Sequence, residues 1–364
     1  MSALAVRSLN RTLLYAAAPF AGLLVWLFVA SVNVTIEDNS LRSIIESSAS
    51  DSPSDSPSAA TETTLVKLGQ AEKIAKGTGA SLKKQITLYN KTNADMNAIA
   101  ELAISQAARP YAIYDKRITG RLGAPSATIQ SDKLKAQLFY LGTSNFTSYA
   151  LKIKLKKSDA MKLSLGNDKQ GGAETTLAAV KRTSAVIGIN AGGFADSGGK
   201  RYPLSTTIVN GEYVGSFEAS YKDLFFVGLN DNNRLIGGKF GSKDQLDALA
   251  PKFGASFVPV LLKNGRTTDI PAKWQTSPKR APRTVIANYK DDQLLILVAD
   301  GYNEKGSSGA TLEEMQILLQ RFGAIDGYNL DGGGSTSLVF GGKVINRPSD
   351  GQLRKVPTNF LFFK

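Results

Sequence analysis

Short runs of apolar and β-branched residues dominate the chain from about Tyr111 to its end. Each run has roughly the length of a β-strand and is bounded by Gly, Pro, Asn or Asp. Many strands with few helices predict an α+β domain of mixed, mainly antiparallel sheet over residues 111–364. The runs are KAQLFYLG, SYALKIKLK, SAVIGINAGGF, LSTTIVNGEYVG, TVIANYKDDQLLILVADG, GYNLDGGG, TSLVFGGKVINR and NFLFF.

Local signals define individual elements within this region. Asn210-Gly211 and Gly341-Gly342 each separate two strand-like runs, and such pairs tolerate the positive φ of tight hairpin turns. One segment, TLEEMQILLQRFG, has helical spacing. Thr311 and Glu314 predict a capping box at its start, and Gly323 predicts its end. Its apolar stripe predicts core packing and comprises Met315, Leu318, Leu319 and Phe322.

Residues 12–34 are apolar over the roughly 20 residues that span a bilayer, and Arg7 and Arg11 precede them. This pattern predicts a transmembrane signal anchor, with residues 1–11 in the cytoplasm and the remainder of the chain outside it. The alternative is a cleaved signal peptide, which would make the protein secreted. Both interpretations place the domain outside the cytoplasm.

Two segments separate the predicted anchor from the domain. Residues 35–64 include ESSASDSPSDSPSAATETT, whose composition predicts an unstructured linker. Residues 65–110 are basic and predict a partly helical stalk. Within it, Asn93 is a candidate N-cap for a helix over ADMNAIAELAISQAA, which we expect to end at Pro110.

Composition excludes several kinds of catalysis. The chain contains no Cys and no His. Disulfides, thiol nucleophiles, His-ligated zinc and Ser/His relays are therefore excluded, and any catalysis must use carboxylates, amides, hydroxyls, Lys, Arg or backbone.

The net charge of +13 is concentrated before the glycine-rich motif described below. Residues 64–160 contain 16 Lys or Arg and six Asp or Glu, a difference of 16 − 6 = 10. An exported basic surface predicts polyanionic partners, such as phosphodiester polymers, acidic polysaccharide or anionic headgroups. The alternative is a charged, soluble face without a specific partner. No nucleic-acid-binding motif is present, and we expect no nucleic-acid partner.

Three strand-like runs end in a polar residue followed by glycine: VIGINAGGF, LLILVADGY and GYNLDGGGSTS. Strand ends can direct amides and carboxylates into one region, and glycines allow a ligand close to the backbone. Asp-Gly is also an ordinary turn dipeptide, whereas three consecutive glycines exceed what a turn requires. The candidate site residues are Asn190, Gly192, Gly193, Asp300, Asn329, Asp331, Gly332, Gly333 and Gly334.

The segment GGGSTS lacks the Lys of a phosphate-binding Walker loop and the spacing of a dinucleotide site. Its backbone N–H groups and the Ser335 hydroxyl could still form an anion nest. Arg283, in APRTVIAN, and Arg347, in NRPSDG, are candidates to complete a phosphate clamp through their planar guanidinium groups. An ordinary surface or structural ion pair is the alternative for each arginine.

Several segments together resemble the phosphodiester glycosidase family. They are VIGINAGGF, PLSTTIVNGEYVG, APRTVIAN, LLILVADGY, GATLEEMQILLQRFGAIDGYNLDGGGSTSLV, RPSDG and VPTNFLFF, and they cover about residues 130–364. The resemblance implies a hydrolase that cleaves the sugar–phosphate bond of glycosyl-1-phosphodiesters, similar to N-acetylglucosamine-1-phosphodiesters. Together with the predicted N-terminal anchor, it leads us to expect an exported hydrolase that acts on surface glycans or polysaccharides. NAGGFAD lacks the family's second aromatic residue, and SSGAT stands where Gly-Met-Thr is common, so the pocket lining departs from the family pattern.

The chemistry of the residues agrees with this resemblance. A phosphodiester is already a good leaving group, so the site needs stabilisation of charge more than a proton donor. We expect Asp331 to act as base or nucleophile, with Asp300 as its partner or a sugar ligand. The phosphate would lie on Arg283, Arg347 and the backbone of residues 332–335. We expect Asn190 and Asn329 to bind sugar hydroxyls, and Asp350 is a further candidate.

Cofactors and other functions remain open from the sequence. No cofactor is required by this chemistry, although Asp331 and Asp300 could hold a divalent cation that bridges phosphate oxygens. A non-catalytic glycan- or phosphate-binding module is the main alternative function, and an envelope protein of polysaccharide assembly is another. Both would carry the predicted anchor, but an assembly protein gives no reason for the three glycines.

Overall fold

The computed structural model describes residues 57–143, 145–302 and 308–364. The predicted anchor at residues 12–34 lies outside these ranges, as do the predicted cytoplasmic segment and most of the predicted linker. No helix in the described ranges is long and apolar enough to cross a membrane. The chain divides into two units, Met1–Asn97 and Ala98–Lys364.

The described ranges contain five α-helices and two short 3-10 turns, at Gly166–Asp168 and Gly333–Ser335. The helices are α1 (Pro57–Leu122), α2 (Thr176–Thr183), α3 (Lys243–Asp247), α4 (Ala272–Thr276) and α5 (Leu312–Phe322).

Twenty strands follow α1 in the described part of the chain. They are β1 (Ala127–Gln130), β2 (Leu134–Gly142), β3 (Thr147–Leu155), β4 (Met161–Leu165), β5 (Ile187–Asn190), β6 (Phe194–Ser197), β7 (Lys200–Pro203), β8 (Ile208–Val209), β9 (Glu212–Tyr213), β10 (Phe225–Asn230), β11 (Leu235–Gly238), β12 (Pro251–Phe257), β13 (Val260–Lys263), β14 (Arg266–Thr267), β15 (Arg283–Asn288), β16 (Leu294–Ala299), β17 (Asp326–Leu330), β18 (Leu338–Phe340), β19 (Lys343–Val344) and β20 (Thr358–Phe362).

These strands form one large sheet and three smaller ones. The eight-stranded sheet has the order β1-β2-β3-β16-β15-β17-β13-β14. Two five-stranded sheets have the orders β11-β10-β12-β8-β9 and β19-β18-β5-β20-β4, and β6 pairs with β7. All pairs of described strands are antiparallel. The prediction of a mainly antiparallel α+β domain is therefore confirmed.

The large sheet is buried on both faces at its centre, which explains the uninterrupted apolar sequence LLILVA of β16. Alternate residues from Leu294 pack against the two five-stranded sheets, in the main core of the domain. Alternate residues from Leu295 pack on the opposite face, beneath α5. Burial of one such side chain contributes roughly 1.5–3 kcal/mol to the free energy of folding. Because β16 has apolar side chains on both faces, it stabilises the packing on both sides of the large sheet.

The last turns of α1 also cover this second face of the large sheet. Ile118 and Leu122 are buried there. The nearly inaccessible Lys152 of β3 forms an ion pair with Asp115 at 2.5 Å and donates to Thr119 Oγ1 at 2.9 Å. Because a buried ammonium group is costly without partners, these contacts join the end of α1 to the sheet specifically.

The local signals within the domain are confirmed, whereas Asn93 lies inside α1 and is not an N-cap. Asn210-Gly211 joins β8 to β9 and Gly341-Gly342 joins β18 to β19, and all four residues have positive φ. At α5, Thr311 and Glu314 form the reciprocal capping box, with hydrogen bonds of 3.1 and 2.9 Å.

The extent of α1 differs from the sequence prediction. The helix begins at Pro57, within the predicted linker, and continues through Pro110 to Leu122. A proline at the first helical position loses no hydrogen bond, because that N–H is unpaired in any helix. Pro110 does remove one backbone donor, but it lies at an exposed position, where water can satisfy the carbonyl that is left without a partner.

Candidate active site

Asp331 follows β17 directly and is held by its own backbone. Its N–H donates to the carbonyl oxygen of Ala191 at 3.1 Å, and its carbonyl oxygen accepts from Asn190 Nδ2 at 2.6 Å. The carboxylate Oδ1 accepts from the N–H of Gly332 at 3.0 Å. Because the backbone of Asp331 is tied to the end of β5, two strands rather than a free loop orient its carboxylate.

A cavity of about 230 Å³ opens beside this carboxylate, and we call it the Asp331 cavity. This volume is below the ~300–1,000 Å³ of pockets for drug-sized molecules, so the cavity suits one small ring. Its aromatic wall consists of Phe257, Trp274 and Tyr302, and its polar wall includes Arg283, Asn329, Asp331, Gly332 and Gly333. The structure therefore brings five residues predicted from the sequence into one site.

The environment of Asp331 favours its neutral form. Burial raises the pKa of its carboxyl from 3.8 to about 6. The Ser335 hydroxyl, the Gly332 N–H and the charges of Arg354 and Arg201 act in the opposite direction but do not outweigh burial. A carboxylate with a pKa near 6 is ionised at neutral pH and is basic enough to accept a proton.

Arg283 supplies a buried positive charge to the cavity. Its Nε donates to the carbonyl oxygen of Ala310 at 3.2 Å, and its Nη2 donates to that of Pro278 at 2.9 Å. Burial lowers the pKa of its guanidinium group. None of the ion pairs among the described residues involves Arg283. A buried cation that is held by two carbonyl oxygens and has no ion-pair partner among the described residues is suited to binding an anion.

Asn329 supplies a hydrogen-bond acceptor to the same cavity. Its Nδ2 donates to the carbonyl oxygen of Val258 at 2.6 Å, which fixes the orientation of the amide. Its Oδ1 is buried and has no hydrogen-bond partner among the described residues. Buried acceptors are normally paired, so this atom matches a ligand donor such as a sugar hydroxyl.

The three consecutive glycines satisfy three different constraints. A Cβ at Gly332 would lie 2.8 Å from the carbonyl oxygen of Pro282, which is too close for a side chain. Gly333 has a φ of +58° and faces open space. A Cβ at Gly334 would overlap the guanidinium group of Arg354. The glycine run therefore allows tight packing at Gly332 and Gly334, on either side of one residue in the left-handed backbone conformation.

Three of the four backbone donors predicted for an anion nest are paired within the protein. The N–H of Gly332 donates to the Asp331 carboxylate, and that of Gly333 donates to the carbonyl oxygen of Pro282 at 2.9 Å. The N–H of Ser335 donates to the carbonyl oxygen of Gly332 at 3.1 Å. Only the Ser335 donor closes the turn itself, and all three N–H groups have acceptors within the protein.

Asn190 lies beneath the loop rather than in the cavity. Its Oδ1 accepts from the Thr284 hydroxyl at 2.9 Å and from the N–H of Ser337 at 3.0 Å, while its Nδ2 donates to Asp331. The side chain is only 1% exposed. It therefore positions Asp331 and the following turn, instead of meeting a sugar hydroxyl as predicted.

Gly192 and Gly193 also serve packing. A Cβ at Gly192 would lie 2.9 Å from the carbonyl oxygen of Ser256, and one at Gly193 would lie 2.6 Å from the Phe257 ring. Because Phe257 lines the Asp331 cavity, these glycines set the position of its aromatic wall rather than exposing backbone to a ligand.

Asp300 and Arg347 lie together but outside the lining of the Asp331 cavity. Asp300 Oδ2 accepts from the Tyr149 hydroxyl at 3.0 Å, and its Oδ1 accepts from the backbone N–H of Arg347 at 2.9 Å. Burial raises the pKa of Asp300. The Arg347 residue is exposed. In the structure, Asp300 holds the loop that follows β19.

Asp350 lies next to the site and is hydrogen-bonded to Arg354, an arginine that the sequence did not single out. Asp350 Oδ2 accepts from Arg354 Nη2 at 2.7 Å, and both side chains lie against Gly334. Arg201, the other cation that acts on Asp331, is likewise new. Trp274, one of two Trp residues in the chain, was the available sequence signal for the aromatic wall, because exposed loops seldom need an indole.

Carboxylates do not cluster at this site. Among the described residues, no group of three or more Asp or Glu side chains is placed to hold a metal ion. Binding of a divalent cation by Asp331 and Asp300 stays a prediction, which a chelator tests directly.

We expect Gly334→Ala to impair both folding and activity. The new methyl group would displace the Arg354 guanidinium or the turn that follows Asp331, at a cost of about 1–3 kcal/mol. We expect Tm to fall and kcat/KM for the substrate proposed below to fall roughly 10- to 100-fold. Gly142→Ala is the matched control, because a Cβ at Gly142 meets no atom within 4 Å. Equal behaviour of the two variants would contradict this role of Gly334.

Comparison with known proteins identifies the class to which this fold and site belong. Residues 183–363 match the model of the phosphodiester glycosidase family. The resemblance seen in the sequence is thereby confirmed. The catalytic domain of a zebrafish N-acetylglucosamine-1-phosphodiester alpha-N-acetylglucosaminidase has a similar fold, with a TM-score of 0.53 and 19% identity, covering 66% of this chain and 87% of that one.

Two curated relatives match about half of this chain. An uncharacterized SPbeta prophage-derived protein of Bacillus subtilis, YomE, is 30% identical over 188 residues, or 50% of this chain and 28% of that protein. The N-acetylglucosamine-1-phosphodiester alpha-N-acetylglucosaminidase of Mus musculus is 26% identical over 198 residues, or 50% of this chain and 37% of that enzyme. The chain thus spans well under half the length of these relatives.

Proposed function

We propose that this protein hydrolyses glycosyl-1-phosphodiesters at the bond between sugar C1 and the phosphate oxygen. Water supplies the new hydroxyl of the sugar, and the phosphate leaves with its remaining ester as a phosphomonoester. The observation that carries this proposal is the Asp331 carboxylate, which shares a small cavity with the buried, carbonyl-held cation of Arg283. The match of residues 183–363 to the phosphodiester glycosidase family model supports the same reaction class.

Each side chain of the cavity has a distinct proposed role. Asp331, ionised, acts as base toward water or as nucleophile toward C1. Arg283 neutralises the charge that accumulates on the departing phosphate, so no general acid is needed. Trp274 and Tyr302 pack against the sugar ring, and Asn329 Oδ1 accepts from a sugar hydroxyl. Asp300 acts as a positioning residue, because it holds the loop after β19 through the N–H of Arg347.

The setting that we propose is the cell surface. Residues 12–34 anchor the chain in a membrane, or are cleaved on secretion, and the domain acts outside the cytoplasm on glycans or polysaccharides that carry N-acetylglucosamine-1-phosphodiester-like units. The mouse relative's name motivates the sugar, and the basic segment before residue 160 motivates polyanionic envelope polymers as partners. We propose no nucleic-acid partner and no required cofactor.

Release of free sugar tests the reaction. The purified full-length chain would be incubated with glycosyl-1-phosphodiesters that differ in the sugar, in water enriched in ¹⁸O, with and without a chelator. We expect ¹⁸O in the released sugar, because the C1–O bond breaks, and no effect of the chelator. Label in the phosphate instead would contradict the proposed bond. Binding of all substrates without turnover would favour the non-catalytic binding module.

The pKa of Asp331 predicts the pH dependence of this reaction. A base or nucleophile must be ionised, so we expect kcat/KM to rise with pH and to level off above a midpoint near pH 6. Initial rates between about pH 4.5 and 8.5, at constant ionic strength, measure this midpoint. A rate that falls as pH rises through this range would assign Asp331 the role of an acid and would contradict the mechanism.

A further inference from the structure

A second and larger cavity lies beside the glycine run, and we call it the basic cavity. It has a volume of about 630 Å³, against 230 Å³ for the Asp331 cavity. Three cationic residues line it, Arg201, Arg354 and Lys355, together with the single carboxylate Asp350. Its lining therefore carries a net positive charge.

The glycines that follow Asp331 lie next to both cavities. Gly333 lines the Asp331 cavity, and the next residue, Gly334, contacts the guanidinium group of Arg354 in the basic cavity. Arg201 and Arg354 both lower the pKa of Asp331, so their charges are felt at the carboxylate. A substrate whose scissile bond lies at Asp331 can thus extend past residues 333 and 334 into the basic cavity.

The two arginines of this cavity are held in fixed positions. Arg354 donates from Nε and Nη2 to Asp350 Oδ2, at 3.2 and 2.7 Å. Arg201 donates from Nε to Asp196 Oδ1 at 2.9 Å, and its guanidinium lies 4.6 Å from the centre of the Phe194 ring. Each guanidinium group has further N–H donors, whose planar arrangement matches phosphate oxygens. Such fixed donors select an anion with little loss of side-chain entropy.

We propose that the basic cavity receives the group on the far side of the scissile phosphate and selects one that carries a second phosphate. This inference rests on the proposed function, because it uses the same scissile bond. The Asp331 cavity has room for one ring, so the longer part of the substrate must lie elsewhere, and the adjoining basic cavity has nearly three times the volume. The substrate class is then a sugar-capped chain with repeated phosphate groups.

Two substrates that share one sugar and one scissile phosphodiester test this selection. The first carries 1,3-propanediol as the leaving ester, and the second carries the same diol phosphorylated at its free hydroxyl. We expect kcat/KM of the full-length chain to be about tenfold higher for the phosphorylated substrate, with a preference that declines as salt is added.

The double variant R201Q/K355Q should abolish this preference. We expect the two substrates to differ less than about twofold in this variant, because the charges that distinguish them are gone. The control variant R321Q/K343Q removes the same two charges at exposed positions outside the cavity and should keep the full preference. A wild-type chain that hydrolyses both substrates equally, or a preference that survives in R201Q/K355Q, would overturn the proposal.

A binding measurement keeps this test independent of turnover. If neither substrate is hydrolysed, the proposed function fails, but the basic cavity can still be tested with 1,3-propanediol bisphosphate and the monophosphate by calorimetry. We expect tighter binding of the bisphosphate to the wild-type chain and equal binding of both compounds to R201Q/K355Q. Equal affinities in the wild-type chain would overturn the proposal.

Discussion

Asp331→Asn is expected to abolish hydrolysis of glycosyl-1-phosphodiesters while leaving the protein folded. The amide has the shape of the carboxylate but cannot accept a proton or attack C1. We expect kcat to fall roughly 10²- to 10⁴-fold, as for loss of a general base. Initial rates of sugar release measure this effect, and calorimetric binding of substrate to the variant tests that the cavity is intact.

The same substitution should stabilise the protein at neutral pH. Burial raises the folded-state pKa of Asp331 from 3.8 to about 6, so ionisation of its carboxyl lowers the free energy of unfolding. This penalty is absent below pH 3.8 and complete above about pH 6. We therefore expect the Tm of the variant to match that of the wild type near pH 4 and to exceed it at pH 7 to 8.

Asp95→Asn provides the matched control for Asp331→Asn. Asp95 is exposed on α1, and we expect its amide variant to keep both kcat and Tm within error at each pH. Undiminished turnover in Asp331→Asn would remove this residue from the mechanism. A Tm that drops at neutral pH would instead assign the carboxylate a structural role.

Arg283→Met is the second substitution with a large expected effect. It preserves most of the buried volume of the side chain but removes the charge proposed to stabilise the departing phosphate. We expect kcat/KM to fall roughly 10²- to 10³-fold, comparable with the loss of one donor that stabilises transition-state charge. Initial rates with an activated and an unactivated leaving ester measure this effect, and the loss should be larger for the poorer leaving group.

Stability distinguishes this effect from a loss of folding. A buried guanidinium group without a carboxylate partner among the described residues is costly, so we expect the Tm of Arg283→Met to be at least that of the wild type. Arg283→Lys keeps the charge but not the planar fork and should lose only about tenfold in kcat/KM. Full activity in Arg283→Met would refute the phosphate contact.

Asp331 lines the Asp331 cavity, and the basic cavity lies near the Gly334 side of the same glycine run. The Asp331 cavity is small and aromatic on one wall, which suits the terminal sugar, whereas the basic cavity is large and cationic. Because Asp331 follows β17 and its backbone is hydrogen-bonded to Asn190 and Ala191 at the end of β5, two strands fix its position. This rigidity is what a positioned base or nucleophile requires.

Interactions between near neighbours in the chain were determined by the sequence itself. The capping box of α5 joins residues three apart, and the glycine hairpin turns are single dipeptides, so their geometry depends only on local backbone preferences. The apolar run of β16 likewise requires burial on both faces wherever the strand lies. Asp331, Asn329 and Arg283 were recognisable because each lies at a strand end with an unusual neighbouring sequence.

The roles of the remaining site residues were decided only by tertiary structure. Arg354 contacts Gly334 across 20 residues of chain, and Asn190 reaches Asp331 across 141 residues. Such contacts depend on which strands become neighbours, and polar side chains at strand ends can face either a ligand or another loop. Asn190 is buried and both polar atoms of its amide are hydrogen-bonded, so it positions Asp331. The N–H groups of Gly332 and Gly333 have acceptors within the protein, and Arg283 lines the Asp331 cavity. These are long-range packing outcomes, on which local propensity has no influence.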